Sequence, residues 1–273
     1  MNRLFVTYKP PFVGSNRHLS RLKRKYGTKK AGFSGTLDPF AKGVLIIAFG
    51  KYTQLFRFLN KVPKTYRATL WLGLNSETLD IEKNDGIDDV KEFDNLDIDK
   101  VVQSFTGEFT YTPPKYSAKK IAGKRAYTLA RANMEVELPT VTSTIYDITT
   151  INYNHPFLTF EATVSEGTYI RSLAEHISKK LGVSGALSSL ERINEGKFIY
   201  ESEKALNPLE MINLPRNEYL SDIEDVILGR KLELENLKYQ EDGRYLLTFE
   251  DMFSIIAVSQ QRVSYLLNKV PLC

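Results

Sequence analysis

Two short stretches in which apolar and polar side chains alternate constrain the fold more than any other feature of this chain. They are residues 65–72, TYRATLWL, and residues 158–165, LTFEATVS. Their apolar members are Tyr66, Ala68, Leu70 and Leu72 in the first stretch and Leu158, Phe160, Ala162 and Val164 in the second. Because successive side chains of a strand point to opposite faces, each stretch is predicted to be a half-buried strand.

The other predicted elements mix strands and helices without a regular order. Residues 44–49, VLIIAF, form a short apolar run whose β-branched residues favour a buried strand. Helical spacing occurs in two places, at Leu19, Leu22 and Tyr26 and at Ile170, Leu173, Ala174, Ile177 and Leu181. Since no repeated βαβ unit is visible, the sequence predicts an α+β protein with a mixed, largely antiparallel sheet flanked by helices.

Composition and turn residues suggest the character of three further segments. Residues 81–99 are acidic and poor in apolar side chains, which predicts a surface excursion that ends in a helix near residues 98–105. Residues 205–220, ALNPLEMINLPRNEYL, contain prolines and no strong amphipathic pattern, and are predicted to be a linker. Residues 243–249, GRYLLTF, and 253–259, FSIIAVS, are predicted to form a hairpin in a small β unit.

Basic residues cluster in two segments that contain no acid. Residues 17–30, RHLSRLKRKYGTKK, and residues 115–131, KYSAKKIAGKRAYTLAR, have this composition, although the whole chain has 37 Lys plus Arg against 33 Asp plus Glu. Such segments suit a surface that binds a polyanion, since phosphate is contacted mainly by Lys and Arg. The alternative is two solvated helix faces, and charge alone favours that alternative.

Several classes of function find no support in the residues. His18, His155 and His176 are isolated from one another and the only cysteine is Cys273, so neither a metal centre nor thiol chemistry is expected. The sequence contains no GxxxxGK[ST] or GxGxxG phosphate-binding pattern, and we expect no nucleotide cofactor. With no apolar run of membrane-spanning length and no signal-peptide pattern, we expect a cytoplasmic protein without membrane contact.

Asp38 lies in a glycine-rich loop just before the predicted strand at residues 44–49. The loop sequence is GFSGTLDP, in which Gly32, Gly35 and Pro39 favour a tight turn. A carboxylate at the mouth of a strand can act as a nucleophile or base if it stays ionised. An Asp before Pro in such a loop is more often a turn former, so the loop alone leaves both interpretations open.

Six segments in a fixed order carry a resemblance to a known family. The first four are LFVTYKPPFVGSN at residues 4–16, AGFSGTLDPFAKGVL at 31–45, KTYRATLWLGLNSETLD at 64–80 and VSEGTYIRSLAEHIS at 164–178. The match is extended by PPKYSAKKIAGKRAYTLAR at 113–131 and LSSLERINEGKF at 187–198. Over about residues 4–200 the chain therefore resembles the TruB family of tRNA pseudouridine synthases.

The resemblance implies a pseudouridine synthase fold and a specific set of site residues. Asp38 would be the catalytic aspartate, with Arg171 as its ionic partner, and Tyr66 would stack on the target uracil and act in proton transfer. Tyr169 would line the pocket and Leu190 would contact the uridine. The implied reaction converts the uridine at position 55 of the tRNA T loop to pseudouridine. Since this reaction changes no oxidation state and hydrolyses no bond, neither a metal nor a cofactor is expected.

The resemblance also gives the second basic segment a role. Residues 112–131 match the family's thumb-like insertion, which closes over the RNA loop, and the first basic segment would lie close to the catalytic loop. Recognition of a folded RNA loop by shape and phosphate contacts is the expected mode of binding. The residues of the insertion expected to contact tRNA are Lys119, Lys120, Lys124 and Arg125.

Three features depart from the family's pattern. Phe33 stands where the family usually has histidine, so stacking on the RNA bases is expected without a hydrogen bond. Glu191 stands where the family often has arginine, which would weaken one phosphate contact. The C-terminal part is short, so we expect a catalytic domain over residues 1–213 and a small β-rich, reduced PUA-like domain over residues 214–273, in a monomeric protein.

Two other functions compete with the enzyme. An RNA chaperone that opens and refolds the tRNA elbow would use the same basic surface with catalysis secondary, but the presence of Asp38, Tyr66 and Arg171 favours a working enzyme. A carboxylate-dependent hydrolase would need a second acid near Asp38. The matched motifs place Arg171 there instead.

Overall fold

The computed structural model of the chain describes residues 1–117, 119–121, 124–132, 134 and 138–272, with the backbone alone at positions 120, 121, 124, 125, 127, 130 and 131. The strands are β1 (Arg3–Lys9), β2 (Ala31–Phe33), β3 (Lys42–Phe49), β4 (Lys64–Leu72), β5 (Leu74–Asn75), β6 (Gly86–Ile87), β7 (Gly107–Tyr111), β8 (Lys120–Ile121), β9 (Lys124–Arg125), β10 (Val141–Asn154), β11 (Phe157–Val164), β12 (Gly185–Glu195), β13 (Arg216–Asn217), β14 (Gly243–Phe249), β15 (Met252–Ser259) and β16 (Arg262–Pro271). The helices are α1 (Ser15–Lys25), α2 (Asn95–Gln103), α3 (Ala126–Arg131), α4 (Ile170–Lys180), α5 (Pro208–Met211) and α6 (Ile223–Leu228), with 3-10 helices at Gly50–Arg57 and Leu234–Asn236.

A large mixed sheet forms the centre of the molecule. Its strand order is β1-β3-β12-β4-β11-β10-β7, and β2 pairs with the end of β3. Strands β3 and β12 run parallel over a short stretch, whereas the other neighbours in this sheet run antiparallel. The predicted α+β class with a largely antiparallel sheet is therefore confirmed.

The two alternating stretches become neighbouring strands, β4 and β11. Tyr66 lies opposite Ala162 and Leu70 lies opposite Leu158, so the apolar members share one face of the sheet. Helices α2 and α4 cover this face and complete the main core. Burying a large apolar side chain contributes roughly 1.5–3 kcal/mol to stability. Because only one face of β4 and β11 is buried, this energy favours apolar residues at every second position of the two strands.

Strand β3 is buried on both faces, which explains its continuous apolar run. Its side chains divide between two cores: Val44, Ile46 and Ala48 pack with the C-terminal sheet, and Leu45, Ile47 and Phe49 pack with α1. A strand covered on both sides has no polar face, so its sequence cannot alternate.

The predicted helices are present, with one change of boundary. Helix α1 and helix α4 contain the two sets of helically spaced residues. Helix α2 begins at Asn95, earlier than predicted, because the side chain of Asp94 accepts a hydrogen bond from the backbone N–H of Leu96 and caps the helix there. Within the described residues, no helix combines the length and the apolar character needed to cross a bilayer.

The prediction of a linker at residues 205–220 is wrong. Leu206 donates a backbone hydrogen bond to the carbonyl of Leu4, and Ile212 bridges to Leu59. Apolar side chains of the segment pack against the core that β1 and β3 share with the C-terminal sheet. The segment consists of very short elements, so its buried residues have no regular spacing and give no periodic signal.

A smaller sheet in the order β13-β14-β15-β16 forms the C-terminal part. The predicted hairpin is confirmed as β14 and β15, which pair antiparallel from Gly243 opposite Val258 to Phe249 opposite Met252. One face of this sheet packs directly on the core of the large sheet, where the hydroxyl of Tyr52 donates to the carbonyl of Pro271. The division of the chain into two domains stays a prediction.

Strands β3 and β12 approach each other unusually closely at Gly43. Its φ is +114°, and a Cβ atom at this position would lie 2.3 Å from the carbonyl oxygen of Arg192. Both the backbone conformation and the lack of space require glycine here. This close approach sets the distance between β3, which follows the loop that carries Asp38, and β12. Both the loop and β12 contribute to the candidate site.

Candidate active site

The loop at residues 34–41, which carries Asp38, is fastened to β12 at its first residues. Ser34 Oγ donates to Glu195 Oε1 at 2.6 Å, and Arg192 Nη2 donates to the carbonyl of Gly35 at 3.1 Å. Gly35 has a φ of +55°, and a Cβ atom there would lie 3.2–3.3 Å from side-chain atoms of Arg192, Glu195 and Lys64. The loop backbone therefore lies directly on a cluster of buried charges.

The second half of the loop is fastened to the segment after β1. Ser15 Oγ, at the start of α1, donates to the carbonyl of Leu37 and accepts from its N–H, both at 3.0 Å. Lys9 Nζ donates to the carbonyl of Pro39 at 3.2 Å. Asp38 thus lies between two residues whose backbone is held by buried side chains, which fixes where its carboxylate points.

Lys9 is a fully buried cation with backbone partners. Its Nζ also donates to the carbonyls of Val13 at 2.7 Å and Pro10 at 3.1 Å. Burial lowers the pKa of Lys9 from 10.5 to about 8, although the charges of Asp38 and Glu82 act in the opposite direction. Nothing in the residue types of YKPP predicted that this lysine would be inside the protein.

Arg171, in the first turn of α4, contacts the carboxylate of Asp38. Its Nη2 donates to Oδ1 at 3.2 Å, and its Nε makes a close ion-pair contact with Oδ2 at 2.9 Å, without hydrogen-bond direction. The side chain of Arg171 is 3% exposed and that of Asp38 is 32% exposed. The structure therefore brings together the two residues that the resemblance paired, and one side of the carboxylate stays open.

The guanidinium of Arg171 is immobilised by further acceptors. Nη1 donates to the carbonyl of Thr78 at 2.7 Å, and Nη2 donates to the carbonyl of Tyr116 at 2.9 Å. Nη1 also lies 3.4 Å from Oδ2 of Asp80, a buried carboxylate that accepts from Thr78 Oγ1 at 2.7 Å. Burial raises the pKa of Asp80, and the Thr78 hydrogen bond and the charge of Arg171 oppose that rise. Arg171 therefore lies between a partly exposed acid, Asp38, and a buried one, Asp80.

Asp38 and Arg171 line a cavity of about 330 Å³ that opens to solvent. This volume lies in the range of pockets that hold small organic groups. Its walls are mainly the Asp38 loop, the start of α4 and the facing strands β4 and β12. The lining residues are Gly35, Thr36, Leu37, Asp38, Lys64, Tyr66, Lys119, Glu166, Gly167, Thr168, Tyr169, Ile170, Arg171, Leu190 and Arg192.

Three other predicted residues lie in the same pocket. Tyr66 is near the start of β4 and is 8% exposed, opposite Arg192 of β12. Leu190 of β12 is buried and gives the pocket an apolar wall. Tyr169 caps α4 and is half-buried, and its ring packs edge-on against Tyr111 at 6.4 Å between centroids. Aromatic and apolar surface thus lies beside the ion pair of Asp38 and Arg171, as a site for a planar base requires.

The remaining predicted residues have different positions. Phe33 is half-buried in β2 and packs in the core under α1, outside the lining of the pocket. Lys119 lines the pocket. The side chains of Lys120, Lys124 and Arg125 lie outside the described part of the structure, although their backbone forms the β8–β9 pair.

The three histidines occupy separate places and have protein partners. His18 hydrogen-bonds Thr7, His155 hydrogen-bonds Tyr153, and His176 hydrogen-bonds the carbonyl of Ser172. Among the described residues there is no group of three or more His, Cys, Asp or Glu side chains that could hold a metal ion.

Sequence reasoning missed the buried charges behind the pocket. Glu195 is fully buried and lies 3.3 Å from Lys64 Nζ and 3.4 Å from Arg192 Nη2. Asp80, Lys64 and Glu195 all lie inside the motif segments, so their position along the chain was known. Their burial could not be read from residue type, because charged residues are exposed unless a distant partner pairs with them.

The fold can be compared with that of solved structures. The protein in a crystal structure of a Cbf5-Nop10-Gar1 complex superposes with a TM-score of 0.68 at 20% identity, over 99% of this chain and 84% of that one. A second, an archaeal box H/ACA Nop10-Cbf5 complex, gives a TM-score of 0.67 at 19% identity, over 98% and 86% of the two chains. The fold is that of the pseudouridine synthases.

The sequence relationship gives the family. The family model described as TruB family pseudouridylate synthase, N-terminal domain, matches residues 23–170. The chain belongs to this family. It is 57% identical over 271 residues to a protein of a Nitratiruptor species named tRNA pseudouridine synthase B, and the match covers 99% of this chain and 98% of that protein. A protein of Campylobacter jejuni with the same name is 51% identical over 273 residues, and the match covers both chains completely.

Proposed function

We propose that this pseudouridine synthase acts on tRNA and isomerises the uridine at position 55 of the T loop. The relatives named tRNA pseudouridine synthase B support tRNA as the substrate, because their similarity extends over almost the whole length of the chain. The observation that carries the chemistry is the carboxylate of Asp38, one third exposed in the pocket and paired on its other side with Arg171.

The reaction changes the uracil atom that is bonded to the ribose. The bond between the anomeric carbon and N1 breaks, the bond between the anomeric carbon and C5 forms, C5 loses a proton and N1 ends with one. Asp38 is the carboxylate that acts beside the ribose, and Arg171 holds it in a fixed orientation. Tyr66 stacks on the uracil and takes part in the proton transfer at C5.

Access to the base requires that the uridine leave the stack of the T loop. Base flipping costs a few kcal/mol, and stacking on an aromatic side chain returns part of that cost. Tyr66 and Leu190 form the apolar walls that would receive the uracil, while Tyr169 and Lys119 stand at the same pocket. Phe33 is proposed to stack on neighbouring bases only if RNA binding exposes it, since it packs under α1 in the free protein.

The remaining parts of the proposal concern binding and context. Residues 112–131 act as a thumb that contacts the T stem-loop through Lys119, Lys120, Lys124 and Arg125. Residues 214–273 form a reduced PUA-like domain attached to a catalytic domain of residues 1–213. We propose a monomeric, cytoplasmic enzyme that uses neither a metal nor a cofactor.

The function is tested by mapping pseudouridine in tRNA by chemical labelling, in cells with and without the gene. The expected result is loss of pseudouridine at position 55 alone, with recovery when the gene is restored. Restoring the gene with the substitution Asp38→Asn is the matched control and should not recover it. Modification that persists in cells lacking the gene, or is lost at another position, would refute the assignment. Tight tRNA binding by the purified protein without turnover would favour the RNA chaperone.

A further inference from the structure

A loosely held carboxylate covers two lysines at the mouth of the pocket. Glu166 Oε1 lies 3.6 Å from Lys61 Nζ and 3.6 Å from Lys64 Nζ. The side chains of Lys61 and Lys64 are 19% and 6% exposed, whereas that of Glu166 is 58% exposed. The lysines therefore belong to the protein wall, and the acid approaches them from the solvent side.

The buried wall has more positive than negative charge without Glu166. Glu195, which is fully buried, lies between Lys64 at 3.3 Å and Arg192 at 3.4 Å, so one carboxylate faces two cations. Lys61 adds a further positive charge next to Lys64. Because uncompensated charge in a poorly hydrated wall is unfavourable, an anion is needed at this position. In the free protein Glu166 supplies that anion.

The contact of Glu166 is weak enough to be replaced. Both of its distances exceed those of a charge-assisted hydrogen bond, and among the described residues Lys64 Nζ donates no hydrogen bond. Glu166 lies in the loop between β11 and α4, next to Gly167, whose φ is +86°. Only the acid of this pair is mostly exposed, so exchanging Glu166 for another anion costs little, whereas leaving the two lysines without any anion would cost more.

We propose that Lys61 and Lys64 form a binding site for an RNA phosphodiester, which Glu166 occupies in the free protein and leaves when RNA binds. This inference rests on the proposed function for the identity of the RNA. A nucleotide whose base lies in the pocket beside Asp38 carries a phosphate on each side of its ribose, and Lys64 lines the same pocket. A phosphodiester brings two free oxygens with one negative charge and can accept from both ammonium groups, which Glu166 does not do.

The test compares Glu166→Gln with a matched variant of an acid far from the pocket. Glu233 is 56% exposed and paired with Lys231 at 3.0 Å, so Glu233→Gln removes the same charge elsewhere. A fluorescent T stem-loop RNA is titrated with each protein at several salt concentrations. Glu166→Gln should bind about 3- to 10-fold more tightly than the parent protein, with a similar log–log salt slope because the same phosphates are neutralised in both proteins. If it behaves like Glu233→Gln, the proposal is wrong.

A double-mutant cycle separates release of a specific site from general repulsion of RNA. Lys61→Gln alone should weaken binding, and Glu166→Gln should gain much less in the Lys61→Gln background than in the parent protein. An equal gain in both backgrounds would mean that Glu166 only repels RNA at long range, and would overturn the site.

Measuring pseudouridine formation on the same RNA distinguishes failure of the phosphate site from failure of the proposed function. A gain in affinity that needs Lys61, without pseudouridine formed by the parent protein, would support the phosphate site and refute the proposed function. Pseudouridine formed normally, with binding that does not respond to Glu166→Gln, would refute the phosphate site alone.

Discussion

In the part of the chain that the structure describes, two buried arginines have the same kinds of partner but differ in how exposed a neighbouring carboxylate is. Arg171 and Arg192 are 3% and 1% exposed, and each donates to two backbone carbonyls and lies against a carboxylate. Of the two carboxylates beside Arg171, Asp80 is buried and Asp38 is partly open to the pocket. The carboxylate beside Arg192 is Glu195, which is completely enclosed.

The difference shows how an arginine–carboxylate ion pair can serve either catalysis or structure. The carboxylate of Glu195 is fully enclosed and cannot meet a substrate, so we expect its pair with Arg192 to act by holding the loop backbone at Ser34 and Gly35. A carboxylate with one open side can react, and Arg171 fixes the other side. Burial of the acid, rather than burial of the arginine, separates the reactive pair from the structural pair.

The largest expected effect comes from substituting Asp38, and the matching substitution of Glu195 is its comparison. Asp38→Asn should lower turnover by at least about 10³-fold, the scale seen when a nucleophile is removed. Its thermal unfolding should change little, because the side chain is partly hydrated and Asp80 still lies beside the buried guanidinium of Arg171. Tritium release from RNA labelled at C5 of uridine measures turnover, and calorimetry measures unfolding.

Glu195→Gln should show the reverse. Removing this charge leaves Arg192 and Lys64 buried without their acid, so the free energy of unfolding should fall by about 3 kcal/mol. Turnover per folded molecule should fall far less than in Asp38→Asn. Equal effects of the two substitutions on both quantities would remove the distinction between the pairs.

Lys9 sharpens the comparison because it is a buried cation whose hydrogen bonds go to backbone carbonyls. Its pKa is about 8 in the folded protein and near 10.5 when unfolded. Between these values the unfolded chain binds more protons, so stability should rise with pH across that window and the cost of the buried charge should be complete below pH 8. Because one pH unit corresponds to about 1.4 kcal/mol, the gain is about 3 kcal/mol.

Denaturant unfolding of the parent protein and of Lys9→Met from about pH 7.5 to 10.5 measures this gain across the window between the two pKa values. The stability of the parent relative to the variant should increase as the pH is raised. A difference that stays constant over the range would show that Lys9 keeps an ordinary pKa.

Arg171→Lys should lower turnover by about 10²-fold while the affinity for RNA stays close to that of the parent. A single ammonium cannot hold the Asp38 carboxylate and the carbonyls of Thr78 and Tyr116 together. Arg192→Lys is the matched substitution and should lower the melting temperature more than the turnover. Steady-state kinetics with full titrations of RNA separate kcat from KM.

The smallest expected effect concerns the hydroxyl of Ser34. Its hydrogen bond to Glu195 is buried and has a charged acceptor, so Ser34→Ala should cost about 2 kcal/mol of unfolding free energy. Ser20→Ala removes an exposed hydroxyl that donates to the carbonyl of Asn16 and should change stability little. Equal stability of both variants would mean that Glu195 does not need Ser34.

The regular elements were predictable where one face of an element is buried. β4, β11 and α4 each pack one side against the main core, and their apolar residues recur at the period of a strand or a helix. β10 was not predicted, because its pairing with β11 is interrupted at Ile145/Asp147 and at Thr150/Asn152, which breaks the alternation. The segment at 205–220 was misjudged for a related reason, since its buried residues follow no period.

The site residues also divide into those that the sequence predicted and those that it did not. Asp38, Tyr66, Tyr169 and Arg171 were found by resemblance, and the first expectation for an isolated Asp before Pro was a simple turn. The supporting charges were not found, because most of their partners are far away along the chain, although Arg192 and Glu195 are only three residues apart. Ser34 and Glu195 are separated by 161 residues and meet only after β2, β3 and β12 have paired. Local sequence patterns hold no information about such pairs.

The close approach of β3 and β12 also has a consequence for reading mutational data. A scan that replaces each residue in turn would find Gly43 intolerant of every side chain, as strongly as Asp38. The two positions would look equally important in a map of fitness, although only Asp38 can meet the RNA. Intolerance at Gly43 would reflect the close packing of β3 against β12. Measuring the amount of folded protein in the same scan would distinguish this requirement for folding from the requirement for activity at Asp38.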